Sequence, residues 1–475
     1  MMLAILGCST PPTVATAPPV EPEPTESLAT PDRVEVAPPS MAPVHLEPAG
    51  LPSSDPVDQT PRDVFDLPGG GRLVHLSRGD HWLWTVAGRT YHLEAAAPVR
   101  VTPDGIVEVG GEPCPPSGLE PATAAPFASV CPGLWRRNPV KGAKSKLEWG
   151  TDFLRDHVKG GEALTRFVKE KVVRSRGKTS EEHASTGSVA PSGSPTPVRT
   201  TRDASLVVEE LGIPLSGGPS PLTAGVFYAT AAQPGIWLAA LHPGLVPDAG
   251  TRPLDPVEAV ADTLLVLFEL DRFDLHFALG TEHPRLDWAD RVKPPVRTDW
   301  PGPDGFDGDG PLVRAGSVRP DRGGAVVAAF TGGFKRSHGA FHRGPLATVN
   351  RGSHYGFVED GIVWSRPQPG LASVTVTWDG RVDLGVWTEA QRVGDYRHVR
   401  QNGLPLVVDG AIGPDVYDRL DGNWSGSVEG DARSMRAGLC IRTEGTARQL
   451  LYGYFTAATP GAMARVFLAA GCEDA

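Results

Sequence analysis

The chain has 475 residues, of which 56 are glycine and 48 proline, close to twice the usual combined share. Both residue types interrupt helix interiors, so a mainly helical architecture is excluded. The 45 basic and 56 acidic side chains leave a net charge of −11, which argues against a nucleic-acid partner, and no apolar run approaches the roughly 18 residues of a membrane-spanning helix.

In chain order, Leu3-Ala-Ile-Leu-Gly-Cys8 comes first: apolar residues, a small residue, then cysteine. The segment resembles the lipobox of bacterial lipoproteins. That resemblance implies export and lipid on Cys8, so the chain would be anchored in the bacterial envelope, periplasmic or surface-exposed. Residues 1–8 are read as a signal remnant. Residues 9–61 hold 14 prolines in 53 positions and nothing that can bury a core, which predicts an extended tether.

Residues 62–135 read as a small β-rich domain. Arg72-Leu-Val-His-Leu, His81-Trp-Leu-Trp-Thr-Val and Thr90-Tyr-His-Leu-Glu alternate or run apolar, with glycine-rich turns between them. Residues 136–180 read as a basic helical segment, with Phe153, Leu154, Val158, Leu164, Phe167 and Val168 at helical spacing. Its 13 basic residues between Arg136 and Lys178 lie all round the helix, which favours a solvated face over a stripe for anionic lipid. Residues 181–202 are a second linker.

The main domain runs over 203–475 and is expected to be α+β, rich in strands, with flanking helices. Asp262–Leu270 and Phe273–Gly280 predict two strands joined by a short Asp271-Arg272 turn. Further strands are expected at 325–330, 353–358, 374–378, 382–387, 404–408, 439–442 and 449–455. Pro460 to Ala470 predicts a helix with Met463, Val466 and Phe467 turned inward.

Within this domain Ala329-Phe-Thr-Gly-Gly-Phe-Lys, followed by His338-Gly339, resembles the N-G-G-F motif of the phosphodiester glycosidase family. Later features follow in the same order. They are Tyr355-Gly-Phe-Val-Glu-Asp-Gly361, the Val374–Trp387 hairpin, Pro405-Leu-Val-Val-Asp-Gly410, and Arg433-Ser-Met-Arg-Ala-Gly438. The resemblance implies a hydrolase that cleaves a glycosyl-phosphodiester bond in envelope or extracellular glycan. Thr331 stands where the family has Asn, and the family continues into a further strand and loop beyond the segment matching Leu468–Ala475. Both departures keep open a second reading, a non-catalytic surface lipoprotein that binds glycan with the same fold. The resemblance further implies that the domain is cut short at its C-terminal side.

Cleavage at a phosphodiester needs little help for the leaving group, but it needs donors for the phosphate and a carboxylate or base on the sugar side. The resemblance assigns Gly332 and Gly333 to a backbone cradle, with Thr331 as a substrate-binding hydroxyl in place of the family's Asn, and Arg433 and Arg436 are candidates for the phosphate, Arg433 preferred. Asp409 ends an apolar run and is the first choice for the carboxylate, with Asp360 and His338 beside it as catalytic candidates. Asp379 sits between two alternating strands and is assigned to a hairpin turn. Trp424, in an Asn-Trp-Ser-Gly setting, is the candidate sugar platform. Asp304 to Gly310 lacks calcium-loop spacing and reads as an acidic loop. No cofactor and no metal is assigned, although the reading is compatible with a divalent ion. The expected partners are a carbohydrate or sugar-phosphate substrate and the membrane through the lipid anchor, with the chain acting as a monomer. With Cys8 lipidated, four cysteines remain, and one pairing within each domain joins Cys114 to Cys131 and Cys440 to Cys472.

Overall fold

The computed structural model describes residues 2–5, 63–119, 125–140, 179–184, 190–208, 212–280, 312–330, 332, 356–365, 367–414, 416–417 and 433–475. These are rich in antiparallel strands, and their α-helices are Pro256–Ala259, Pro320–Gly323 and Pro460–Ala469. None of the described helices is long and apolar enough to cross a membrane. The tether and the Lys141–Lys178 stretch lie outside the described residues.

The first sheet has six strands in the order Asp63–Leu67, Gly71–His75, His81–Val86, Arg89–Ala95, Leu134–Arg137, Phe127–Cys131. Val86 pairs with Arg89, so Ala87 and Gly88 alone make the turn, at φ +49° and +72°. That is the two-residue hairpin geometry whose twist suits the flanking strands. Arg136 and Arg137, expected in the basic helical segment, lie instead on the fifth strand of this order, which runs past the expected boundary at 135. Cys114 and Cys131 are bonded, with Cα atoms 5.6 Å apart.

The central sheet has five antiparallel strands in the order Tyr228–Ala229, Ile236–Leu241, Thr263–Glu269, Ala447–Ala458, Ser434–Glu444. Alternation along the longest strand divides its two faces. Leu451 and Phe455 join Leu265, Leu267 and Phe467 in one core, which the helix Pro460–Ala469 covers. Leu450 joins Ile236, Phe268 and Ile441 in a second core on the opposite face. Thr459 caps the helix by accepting from the Ala462 amide, and Met463, Val466 and Phe467 are buried as their spacing predicts. Gly438 and Gly453 pair across adjacent strands beneath this helix. A Cβ on Gly438 would meet Met463 Cε at 2.8 Å, and one on Gly453 would meet Phe467 at 3.0 Å. The two glycines open the hollow that seats the Phe467 ring. Cys440 is bonded to Cys472, Cα to Cα 5.8 Å, which ties this sheet to the chain beyond the helix.

A second five-stranded sheet, in the order Ile362–Ser365, Phe357–Glu359, Tyr396–Gln401, Ala372–Thr377, Val382–Val386, contributes Phe357, Trp364, Val374 and Val376 to the second core. Leu76 and Leu83 of the first-sheet region enter the same core. The segment expected to form a 262–280 hairpin behaves differently. Thr263–Glu269 stays in the central sheet, while Asp274–Phe277 leaves it and runs parallel to Met2–Ile5. Phe268 and Phe273 flank the crossing, edge to face at 6.3 Å, and both are buried in the core that separates the sheets. The expected 181–202 linker also carries structure. Glu181–Ala184 pairs with Ala204–Val207, and Ser180 holds Asp262 through its amide at 2.7 Å and its hydroxyl at 3.0 Å.

Candidate functional site

Asp360 and Gly361 form a two-residue turn between Phe357–Glu359 and Ile362–Ser365, at φ +53° and +83°. An Asp-Gly hairpin turn ordinarily sits in water. Here the first-sheet region closes over it. Ser77 Oγ donates to the Asp360 carbonyl at 2.6 Å, and the Gly79 backbone lies so close that a Cβ there would stand 2.5 Å from the same oxygen. Asp360 is left 2% exposed.

Its carboxylate is held on both oxygens. Arg397 Nε donates to Oδ1 at 2.5 Å, and His81 Nε2 faces Oδ2 at 3.5 Å. The Asp360 amide donates to His398 Nδ1 at 3.1 Å. Burial works against the charged form, but the His81 bond and the Arg397 charge outweigh it and hold the carboxyl well below the usual range. Behind the turn a seam of buried ions joins the sheets. Arg137 donates to Glu359 at 3.1 and 3.2 Å and pairs with Glu94, while Glu359 also accepts from the Leu279 amide and Trp364 Nε1. Charges this deep persist only when fully partnered.

Two imidazoles nearby have nitrogens without a hydrogen bond, although His398 Nε2 lies 3.9 Å from Asp360 Oδ1. His398 Nε2 and His276 Nδ1 are buried and make no hydrogen bond among the described residues, and the two rings lie edge to face at 5.4 Å. Burial, reinforced by Arg397 and Arg322, pushes His276 down to about 4. Burial also holds His398 well below its ordinary value, despite the attraction of Asp360. Both rings are therefore neutral at pH 7. Arg397 is a quarter exposed, and among the described residues its only side-chain hydrogen bond is the one from Nε. Its terminal fork remains able to take an oxyanion. A weakly basic Asp360, ionised at neutral pH, is suited to orienting Arg397 and the imidazoles rather than to removing a proton itself.

The sequence-predicted residues are scattered by comparison. Asp409 occupies an exposed two-residue turn at φ +50°, between Val408 and its partner Ala411. The apolar run before it contributes only Val407–Val408 to a strand, and Asp474 is its charged neighbour. Arg433 pairs with Asp255, which caps the helix Pro256–Ala259. Arg436 Nε donates to the Ala458 carbonyl at 2.8 Å, and burial lowers its guanidinium to about 10. The Gly332 carbonyl accepts from Arg400 Nε at 2.9 Å and Asn402 Nδ2 at 3.1 Å. Cys8, Thr331, Gly333, His338 and Trp424, and the acidic loop 304–310, lie outside the described residues. Asp379 turns the hairpin between Ala372–Thr377 and Val382–Val386. Of the candidates among the described residues, Asp360 alone is brought among buried histidines. Its partners His81, His92, His276, Arg397 and His398 escaped the motif reading because four different strands supply them. The one sequence signal was histidine at apolar-patterned strand positions, where burial demands a polar partner. Among the described residues no group of three His, Cys, Asp or Glu is placed to hold a metal ion.

No family model matches the chain, and no curated protein matches it. Among solved structures it is similar to the catalytic domain of zebrafish N-acetylglucosamine-1-phosphodiester alpha-N-acetylglucosaminidase, auto-inhibited by its pro-peptide. The identity is 14% and the TM-score 0.21, over 28% of this chain and 47% of that one. The chain thus spans about half the length of that structure.

Proposed function

We propose that this chain is a hydrolase of glycosyl phosphodiesters, with the Asp360 centre as its active site. The observation that carries the reading is the Arg397 fork, aimed by an ionised carboxylate and accompanied by two neutral imidazoles that each keep one buried nitrogen free of hydrogen bonds. The ordered motifs from Thr331 to Gly438 supply the substrate class. Water adds to the anomeric carbon, the bond from that carbon to the phosphate oxygen breaks, and its electron pair leaves with the phosphate. Arg397 receives the phosphate charge, and the water proton passes to solvent. The Leu3–Cys8 segment and the two disulfides support an exported, lipid-anchored monomer acting on envelope or extracellular glycan.

The deep burial of Asp360 and the Thr331 departure favour the second reading, a glycan-binding surface protein. A chromogenic sugar-phosphate diester separates the two. Turnover by the full chain that falls about 10²-fold in Arg397→Ala, as for loss of one oxyanion donor, supports the enzyme. Absence of turnover across several sugars, together with saturable binding of the same diesters, would establish the binding protein instead.

A further inference from the structure

The direction of the imidazole hydrogen bonds that lead from the first sheet toward the Asp360 carboxylate follows from one backbone amide. The Val313 N–H has no choice but to donate, and it does so to His92 Nδ1 at 2.9 Å. A neutral imidazole carries one proton, so His92 holds it on Nε2. His92 Nε2 lies 3.0 Å from His81 Nδ1, which must therefore accept. His81 in turn keeps its proton on Nε2, the atom that faces Asp360 Oδ2 at 3.5 Å. His92 is fully buried and His81 is 1% exposed, so no solvent intervenes to reverse the order. Burial and the Arg137 charge keep His92 neutral.

We infer that His92 and His81, both from the first sheet, are positioning residues that fix the Asp360 carboxylate through two one-directional hydrogen bonds starting at the Val313 amide and a final 3.5 Å contact from the His81 Nε2–H. The first sheet is then half of the site rather than an accessory module. This rests on the reading of Asp360 as the centre of the active site. A third imidazole obeys the same rule: the Asp360 amide donates to His398 Nδ1, which places the His398 proton on Nε2 as well. Rings on two sheets thus share one tautomer, set by two backbone amides.

The test combines ring-nitrogen NMR of the full chain, labelled with ¹⁵N in histidine, with turnover of a sugar-phosphate diester. His81 and His92 are expected to show pyridine-type Nδ1 and pyrrole-type Nε2. His92→Phe removes the donor to His81, so the His81 signal is expected to lose its single-tautomer character. kcat is expected to fall about ten-fold with KM unchanged, the mark of a misplaced group rather than a lost contact. His92→Gln restores both, because one amide supplies an acceptor for Val313 and a donor for His81. Thermal unfolding of both variants shows whether each is folded, and the Gln variant keeps the comparison decisive if the Phe variant is not. A wild-type His92 protonated on Nδ1, or a folded Phe variant that leaves the His81 tautomer and kcat unchanged, overturns the inference. If no diester is turned over at all, the functional reading fails on that arm, while the tautomers still decide whether the chain of bonds exists.

Discussion

Asp360-Gly361 and Asp409-Gly410 are the same dipeptide in nearly the same conformation. Each turns a two-residue hairpin, with φ of +53° and +83° in one and +50° and +71° in the other. One is sealed under the first-sheet region with Arg397, His81 and His398 around its carboxylate; the other is exposed. Local sequence therefore sets the shape of the turn and says nothing of its chemistry. What separates them is Gly79 and Ser77, nearly 300 positions away along the chain.

The comparison is broken most directly by removing each carboxylate. Asp360→Ala strands Arg397 and the chain of imidazoles, and is expected to cost about 3 kcal/mol in urea unfolding. Asp409→Ala forces alanine into a left-handed conformation and is expected to cost only about 1 kcal/mol. Equal losses would mean that the buried network contributes nothing.

Glycine neighbours offer a second contrast. Gly79→Ala pushes a methyl against the Asp360 carbonyl and is expected to cost about 2 kcal/mol, with loss of the single-tautomer His81 signal. Gly410→Ala meets open space and carries only the backbone penalty, about 1 kcal/mol.

A smaller effect separates the turns by the sign of their response to pH. The Asp360 carboxyl is depressed on folding, so its stabilisation is present above the unfolded value near 3.9 and disappears as pH falls through the folded value. The gap in stability between wild type and Asp360→Asn is expected to close in strong acid. Asp474, beside the exposed turn, is raised by burial and by the charges of Asp409, Asp383 and Glu473. Its sign is opposite: it favours folding below its unfolded value and opposes it as pH rises through the folded one. Asp474→Asn is expected to gain a few tenths of a kcal/mol at pH 7 and nothing near pH 3, a difference that solvent screening keeps small.

Many strand positions were legible because alternation and Asp-Gly turns are local signals. The Val374–Trp387 hairpin and the inward face of the C-terminal helix could be read from spacing alone. The 262–280 pair could not, since its short turn is equally compatible with a hairpin and with a crossing between sheets. Packing of Phe268 and Phe273 favours the crossing. The site was less legible still. Asp360 stood out by its motif, but nothing local tells His81 or His92 from other strand histidines until the first sheet is laid against the second. Arg433 and Arg436, chosen for their phosphate-binding chemistry, are engaged by Asp255 and by a backbone carbonyl, partners that only the fold supplies.

The hollow under Phe467 carries a consequence for how this sequence can drift. Gly438, Gly453 and the ring are three answers to one volume constraint. A methyl at either glycine crowds the ring at 3.0 Å and a second side chain at 2.8 Å, Met463 for Gly438 and Phe455 for Gly453, and a smaller residue at 467 leaves a void that only a larger neighbour refills. Chains that share this fold should therefore change the three positions in concert or keep them all.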